Sequence, residues 1–183
     1  PHLMAEVTIT KAHTELSEQM VQVINWAYRG KEGVDSWTGE KEYISGIRIT
    51  LHDLQDLITK QEQEDSVIFT ALMNERVVGT IKAERYHDSE GEICAEFGLF
   101  SVDPSQQSHG IGARLLNTAE EFAQTEWQAK KGVMWLLDVR DDLYQWYSRR
   151  GYIKTGRKEP FPEHVDCGAP RVPLRFDVLE RRF

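Results

Sequence analysis

Two hydrophobic periods run along this chain and divide it into strands and helices. Residues 5–10, AEVTIT, alternate with β-branched positions, which predicts a short strand. Leu16, Met20, Val23, Ile24 and Ala27 then recur at helical spacing, with Thr14 placed as an N-cap and Gly30 as the stop. A second apolar face, Leu51, Leu54, Leu57 and Ile58, predicts a helix over Thr50–Lys60. The apolar run Ser66–Met73 reads as a buried strand that turns at Asn74-Glu75-Arg76 into a hairpin partner, Val77–Tyr86. After the polar turn His87–Gly91, a third strand covers Ile93–Val102 and stops at Asp103-Pro104, because proline cannot extend a ladder.

Leu115, Leu116, Ala119, Phe122 and Ala123 place a long amphipathic helix over Gly110–Gln128. Val133–Val139, VMWLLDV, is almost wholly apolar, as a strand covered on both faces is. A helix over Asp141–Arg150 ends at Gly151, and Tyr152–Thr155 and Val172–Leu179 close the set. The order β-α-α-β-β-β-α-β-α-β-β predicts a mixed sheet with helices on both faces, an α/β or α+β domain.

No repeat, low-complexity tract or linker divides the 183 residues. Pro1-His2-Leu3 precede Met4 and read as a cloning remnant, so one domain is expected over residues 4–183. Apolar runs fall far short of the roughly 20 residues that span a bilayer. With no basic-then-apolar leader either, neither membrane nor export is expected, and the expected location is the cytoplasm. The net charge of −8 argues against nonspecific nucleic-acid binding and favours cationic ligands. Cys94 and Cys167 are far apart, without histidines at metal spacing; free thiols are expected, with no disulfide and no metal.

The most informative segment runs from Val102 to Leu116: a strand, a glycine-bearing turn and a helix start. Unpaired N–H groups and the positive end of the macrodipole make such a helix start a phosphate site, and Gly110 and Gly112 hold no side chain in the way. A Walker A loop would need Gly-Lys-Ser/Thr, which is absent. A dinucleotide fingerprint would need a small residue where Leu115 stands. The remaining pattern, Gln107-x-x-Gly110-x-Gly112, resembles the pyrophosphate loop of the GNAT N-acetyltransferase superfamily.

That resemblance extends to the preceding strand, Glu96 to Val102, with its Asp103-Pro104 ending. It extends also to Tyr147-x-x-x-Gly151-Tyr152, which is similar to the family's Tyr-x-x-x-Gly-Phe/Tyr motif. It is firm over residues 66–156 and looser outside them. It implies a single GNAT-like domain, a mixed, mostly antiparallel central sheet of about seven strands flanked by about four helices. It implies acetyl-CoA as co-substrate and transfer of its acetyl group to a primary amine. One departure is visible: many members carry Asn seven residues before the motif tyrosine, where this chain has Arg140.

By the same resemblance, the backbone amides of Ser108, His109, Gly110, Ile111, Gly112 and Ala113 hold the pyrophosphate, and Gln107 opens the cofactor-binding loop. Arg114 reads either as a phosphate partner or as part of the solvated helix face. Phe100, Ser101 and Val102 pair with the pantetheine arm, and the Phe100 N–H is aimed at the thioester oxygen as negative charge develops there. An amine with a pKa near 10.4 is mostly protonated at pH 7, so a base is useful. Glu96 resembles the base of histone-acetylating members; Glu84, His87 and Glu92 are alternatives. Tyr147 is the implied acid for the departing sulfur. A covalent acetyl-cysteine route is the weaker reading, since neither cysteine has a base nearby in sequence.

Gly30–Ile49 and Lys158–Pro173 are expected to build the acceptor pocket. The first offers Trp37, Glu40, Glu42, Tyr43 and Arg48, and the second Pro160-Phe161-Pro162-Glu163-His164. Trp37, Tyr43 and Glu96 are the expected substrate contacts, aromatic and acidic groups that suit an ammonium ion. The favoured acceptor is a small amine or amino-acid-like molecule, not nucleic acid or membrane, and a homodimer is left open. The rival readings are a protein lysine or N-terminal acetyltransferase and a non-catalytic acyl-CoA-binding module.

Overall fold

The computed structural model describes residues 6–31, 33, 39–40, 43–61, 63, 65–106, 109–162 and 168–183. In chain order it gives β1 (Val7–Lys11), a 3-10 turn at Thr14–Leu16, α1 (Ser17–Arg29), β2 (Ile44–Ser45), α2 (Leu51–Lys60), β3 (Ser66–Met73) and β4 (Arg76–His87). Then come β5 (Ile93–Val102), a 3-10 turn at Pro104–Gln106, α3 (Ile111–Glu126), β6 (Lys131–Leu137), α4 (Asp141–Ser148), β7 (Ile153–Pro160), β8 (Ala169–Pro170) and β9 (Arg175–Arg182). Seven strands form one sheet in the order β1-β3-β4-β5-β6-β9-β7. Its pairs are antiparallel except β5 with β6, so the sheet is mixed and mostly antiparallel, as expected.

The helical patterns explain the layers. Met20, Val23 and Ile24 of α1 and Leu54 and Ile58 of α2 bury against Ile68, Val77 and Leu99 on one face of the sheet. Ile111, Leu115, Leu116, Ala119 and Ala123 of α3, with Leu143 and Tyr147 of α4, cover Phe97, Val102, Met134 and Leu136 on the other. Local differences from the sequence reading have local causes. Helix α1 starts at Ser17, not beside Thr14, because Thr14–Leu16 form a tighter turn whose Thr14 carbonyl accepts the Ser17 hydroxyl at 2.6 Å. Strand β7 runs on to Pro160 as a charged, exposed edge without alternation, so its hydrophobic pattern fades after Thr155. The two-residue strands β2 and β8 pair with each other outside the main sheet and carry no periodic signal at all.

One feature interrupts the sheet near its centre. Strands β5 and β6 pair only over Cys94–Phe97 and Lys131–Met134. Beyond that point β5 stays with β4 as far as Val102, while β6 stays with β9 as far as Leu137. The two strands share no ladder there, and a wedge opens between them beside the start of α3.

Candidate functional site

On one side of the wedge β5 carries a bulge. Gly98 opposes Lys82 and Ser101 opposes Thr80, so Leu99 and Phe100 together face Ile81. Leu99 adopts φ 45, a left-handed conformation that a leucine takes only when its surroundings enforce it. Here the Thr80 hydroxyl bonds the Leu99 carbonyl at 2.7 Å, and the Leu99 side chain is buried among α1 and α2 residues. The Phe100 N–H donates out of the ladder to the Tyr28 hydroxyl at 3.1 Å. Burial raises the Tyr28 pKa, so the phenol stays neutral and able to accept.

Tyr28→Phe should therefore lower the melting temperature, because a part-buried N–H left without a partner costs at most about 1–3 kcal/mol. For a protein of this length that corresponds to roughly 2–12 °C. If acetyl-CoA pairs with the same N–H, it should raise the melting temperature of the variant more than that of the wild type. Equal shifts would detach the Phe100 amide from ligand binding.

Tyr147 approaches the wedge from the opposite face of the sheet. Its ring lies 6.3 Å from Phe100, 5.1 Å from Trp146 and 6.1 Å from Tyr152, centroid to centroid. Burial pushes its pKa well above the usual tyrosine value, with the nearby Tyr28 and Glu40 adding to the effect. Tyr152 is different: its hydroxyl donates to Glu120 at 2.8 Å, and Glu120 also binds Arg181 at 2.6 Å, which makes it a structural core group.

Beyond the bulge the chain reaches the expected phosphate loop, of which Gln107 and Ser108 lie outside the described residues. His109 and Gly110 are exposed. Gly110 takes φ 74 and precedes α3 as its N-cap without any side-chain cap, and a Cβ there would meet open space. Gly112 packs close to the strand end: a Cβ would lie 3.5 Å from Phe100 and 3.6 Å from Val102. Ile111 is buried, which anchors the first turn of α3 beside the end of β5. Arg114 is exposed and its Nη1 donates to the Val7 carbonyl at 2.8 Å, tying α3 to β1.

On the α1 face of the sheet a cavity of about 370 Å³ adjoins the wedge. Glu96, Gly98 and Leu99 of β5, Trp135 of β6 and Phe176 of β9 line it from the sheet. Tyr28, Arg29, Glu40, Ile44 and Arg48 close one side, and Phe161 and Pro162 the other. Thus Glu40, Arg48, Phe161, Pro162 and Glu96, all named from the sequence, meet at one place. Tyr43 does not line this cavity; it packs on the cluster of Ile44, Leu137, Phe161 and Leu174 just behind it. Trp37, Glu42, Glu163, His164 and Cys167 lie outside the described residues. Tyr28, Arg29, Trp135 and Phe176 escaped the sequence reading. Each falls inside a regular helix or strand pattern, where nothing separates a wall of the cavity from a core residue.

Burial, reinforced by Glu84 across the ladder, raises the Glu96 pKa above the ordinary carboxylate range. The other candidate bases are differently placed. Glu92 is bound by Arg182 at 2.9 and 3.1 Å, and His87 is exposed at the far end of β4. Cys94 is buried with Val133, Val178 and Tyr86, and desolvation raises its pKa, which disfavours the thiolate a nucleophile needs. Arg140, at the departure from the usual Asn, holds Asp142 at 3.0 and 2.9 Å and the Gly39 carbonyl at 2.5 Å. It fastens the segment after α1 to the start of α4.

The acetyltransferase (GNAT) family model matches residues 25–152, from within α1 to the Tyr152 that follows α4. The chain belongs to the GNAT acetyltransferase family. No curated protein matches it in sequence. Solved GNAT-fold structures similar to this one include the PaiA N-acetyltransferase of Thermoplasma acidophilum in complex with coenzyme A. Its TM-score is 0.67 at 16% identity, over 97% of this chain and 99% of that one. A ribosomal-protein-alanine N-acetyltransferase of Brucella melitensis reaches TM-score 0.71 at 13% identity, over 96% and 99%. A spermidine N-acetyltransferase chimera from Vibrio cholerae and hSSAT gives 0.66 at 12% identity, over 96% and 95%. At these identities the likeness shows the GNAT fold. No helix among the described residues is long and apolar enough to cross a membrane.

Proposed function

We propose that this GNAT protein transfers the acetyl group of acetyl-CoA to the primary amine of a small molecule, by direct attack with both substrates bound. The observation that carries this reading is the wedge between β5 and β6. It is flanked by the Phe100 N–H, by Tyr147 on one face of the sheet and by the Glu96-lined cavity on the other.

The residues present fit acetyl-CoA. Gly110, Ile111, Gly112 and Ala113 offer an uncapped helix start with open space at Gly110 for the pyrophosphate. Gln107, Ser108 and His109 complete that loop in the proposal. Phe100, Ser101 and Val102 border the wedge along the path of the pantetheine arm. Bound there, acetyl-CoA supplies an acetyl group activated as a thioester.

Glu96 takes a proton from the acceptor amine. Its raised pKa brings it closer to neutrality than an ordinary carboxylate, which improves a base. The Phe100 N–H, once released by Tyr28, donates to the oxygen that gains negative charge; one such donor is worth roughly 10²–10³ in rate. Tyr147 donates a hydrogen bond to the departing sulfur. The β2–β8 ribbon joins the two acceptor segments beside the cavity, which favours a small molecule over an extended peptide. We place the protein in the cytoplasm, and a homodimer is compatible with this chemistry.

The pH dependence of Glu96→Gln tests the base. A raised carboxylate pKa means that base function fades as pH falls through a value above the ordinary one near 4.3. At neutral pH the variant should lose most of kcat/KM, and the loss should shrink towards about pH 9.5, where neutral amine forms unaided. A ratio of variant to wild type that stays flat would end the base assignment and move it to Glu84. A rise in KM alone, confined to pH values where the amine is protonated, would make Glu96 an ammonium-binding group instead.

A further inference from the structure

The cavity on the α1 face holds one carboxylate and one guanidinium that lack opposite partners among the described residues. Taking that cavity as the acceptor site, as proposed above, we infer that the acceptor is an amine that also carries a carboxylate, an amino-acid-like molecule whose acid group binds Arg48.

Among the described residues, the charges around the cavity pair off except for these two. Glu40 is bound by Arg29 at 2.7 Å, and Arg140 by Asp142 at 2.9 Å. Arg48 interacts electrostatically with Glu40, but Glu40 already has its ion pair in Arg29. Among the described residues Arg48 forms no ion pair and its side chain no hydrogen bond. Its guanidinium instead lies 5.1 Å above the Tyr28 ring. On the sheet, Lys82 pairs with Glu84 at 3.4 Å and Arg157 with Glu159 at 2.9 Å. That leaves Glu96 without an ion pair among the described residues. Arg48 and Glu96 line the same cavity and do not bridge to each other.

A half-desolvated charge without a partner is costly, and a ligand of matching charge relieves that cost. A cavity with a lone cation at one wall and a lone anion at another complements a molecule with both charges. The guanidinium fork matches a carboxylate in two parallel hydrogen bonds. Trp135, 41% exposed, and Phe176 supply an apolar wall for the body of the molecule. At about 30 Å³ per water-sized group, the volume admits roughly a dozen non-hydrogen atoms.

The experiment compares paired acceptors that differ only in the acid group: phenylalanine, 4-aminobutyrate and 6-aminohexanoate, each against its own carboxamide. Acetylation kinetics are read with wild type, Arg48→Met and Arg48→Lys, and calorimetric binding of each acceptor to the protein without acetyl-CoA is read alongside. At least one acid should surpass its amide in kcat/KM by roughly 10- to 100-fold, the scale of a charge-assisted pair. R48M should bring that preference close to one through KM, weaken calorimetric binding of the acid, and R48K should restore part of both. Amides used as well as acids, or a preference that survives in R48M, would overturn the inference. Acetylation of other amines, such as polyamines, with no acid accepted overturns it while leaving the acetyltransferase reading intact. Acetyl-CoA binding without turnover of any amine removes both.

Discussion

Acetyl-CoA at about a hundred times its dissociation constant should raise the melting temperature by roughly 5–11 °C, and a double Gly110→Val, Gly112→Val variant should lose that rise entirely. A ligand bound only by the folded state adds RT ln(1 + [L]/Kd), about 2.7 kcal/mol at that concentration. One kcal/mol shifts a protein of this length by about 2–4 °C. The two glycines are needed for different reasons. Gly110 sits at φ 74, where a β-branched residue is strained by about 1–2 kcal/mol, but the space beside it is open. At Gly112 the backbone conformation is ordinary. A valine there places its branch toward Phe100 and Val102, 3.5 and 3.6 Å from the Cβ, in the room left between helix and strand. The variant should thus melt a few degrees lower, keep a native circular dichroism spectrum and no longer respond to acetyl-CoA. A full response in a folded variant would mean that the phosphate loop lies elsewhere.

Tyr147→Phe should lower kcat roughly 10²-fold while leaving acetyl-CoA affinity and melting temperature nearly unchanged. The ring keeps its neighbours Phe100, Trp146 and Tyr152. Among the described residues the hydroxyl makes no hydrogen bond, so its removal orphans no partner. Burial raises the phenol pKa above 10, whereas an ordinary thiol ionises near 8.5. Complete proton transfer to the sulfur would thus be uphill by more than about 2 kcal/mol, and the hydroxyl acts as a hydrogen-bond donor instead. Because it stays protonated across the assay range, the loss in Tyr147→Phe should be constant from about pH 6 to 9.5. That constancy sets it apart from Glu96→Gln, whose deficit shrinks as pH rises. An unaltered kcat would return Tyr147 to the core.

The strands and helices with strong periods were legible from the chain: Ser66–Met73 and Ile93–Val102 fall where the structure puts β3 and β5. So was the glycine pattern at 110 and 112, since a turn with φ 74 leaves its mark as a glycine. Three features were not. The wedge depends on where the β5–β6 ladder stops, a pairing decision made between strands about 37 residues apart that no local pattern encodes. The bulge at Leu99 puts a leucine in a conformation usually signalled by glycine. Tyr28 sits at the end of an amphipathic helix and reads as one more apolar position until its hydroxyl is seen on the Phe100 amide. Arg48 is similar: sequence can name it as a member of the pocket, but only the pairing of Glu40 with Arg29 shows that its charge is left over.

The central claim, acetyl transfer to an amine, is tested most directly by incubating the purified protein with acetyl-CoA and a library of primary amines. Free coenzyme A and the N-acetylated amine are then measured together by mass spectrometry. Release of coenzyme A that depends on a particular amine, matched mole for mole by its N-acetyl product, is the predicted result. Saturable binding of acetyl-CoA with no amine-dependent product across the library would contradict the account and leave an acyl-CoA-binding module in its place.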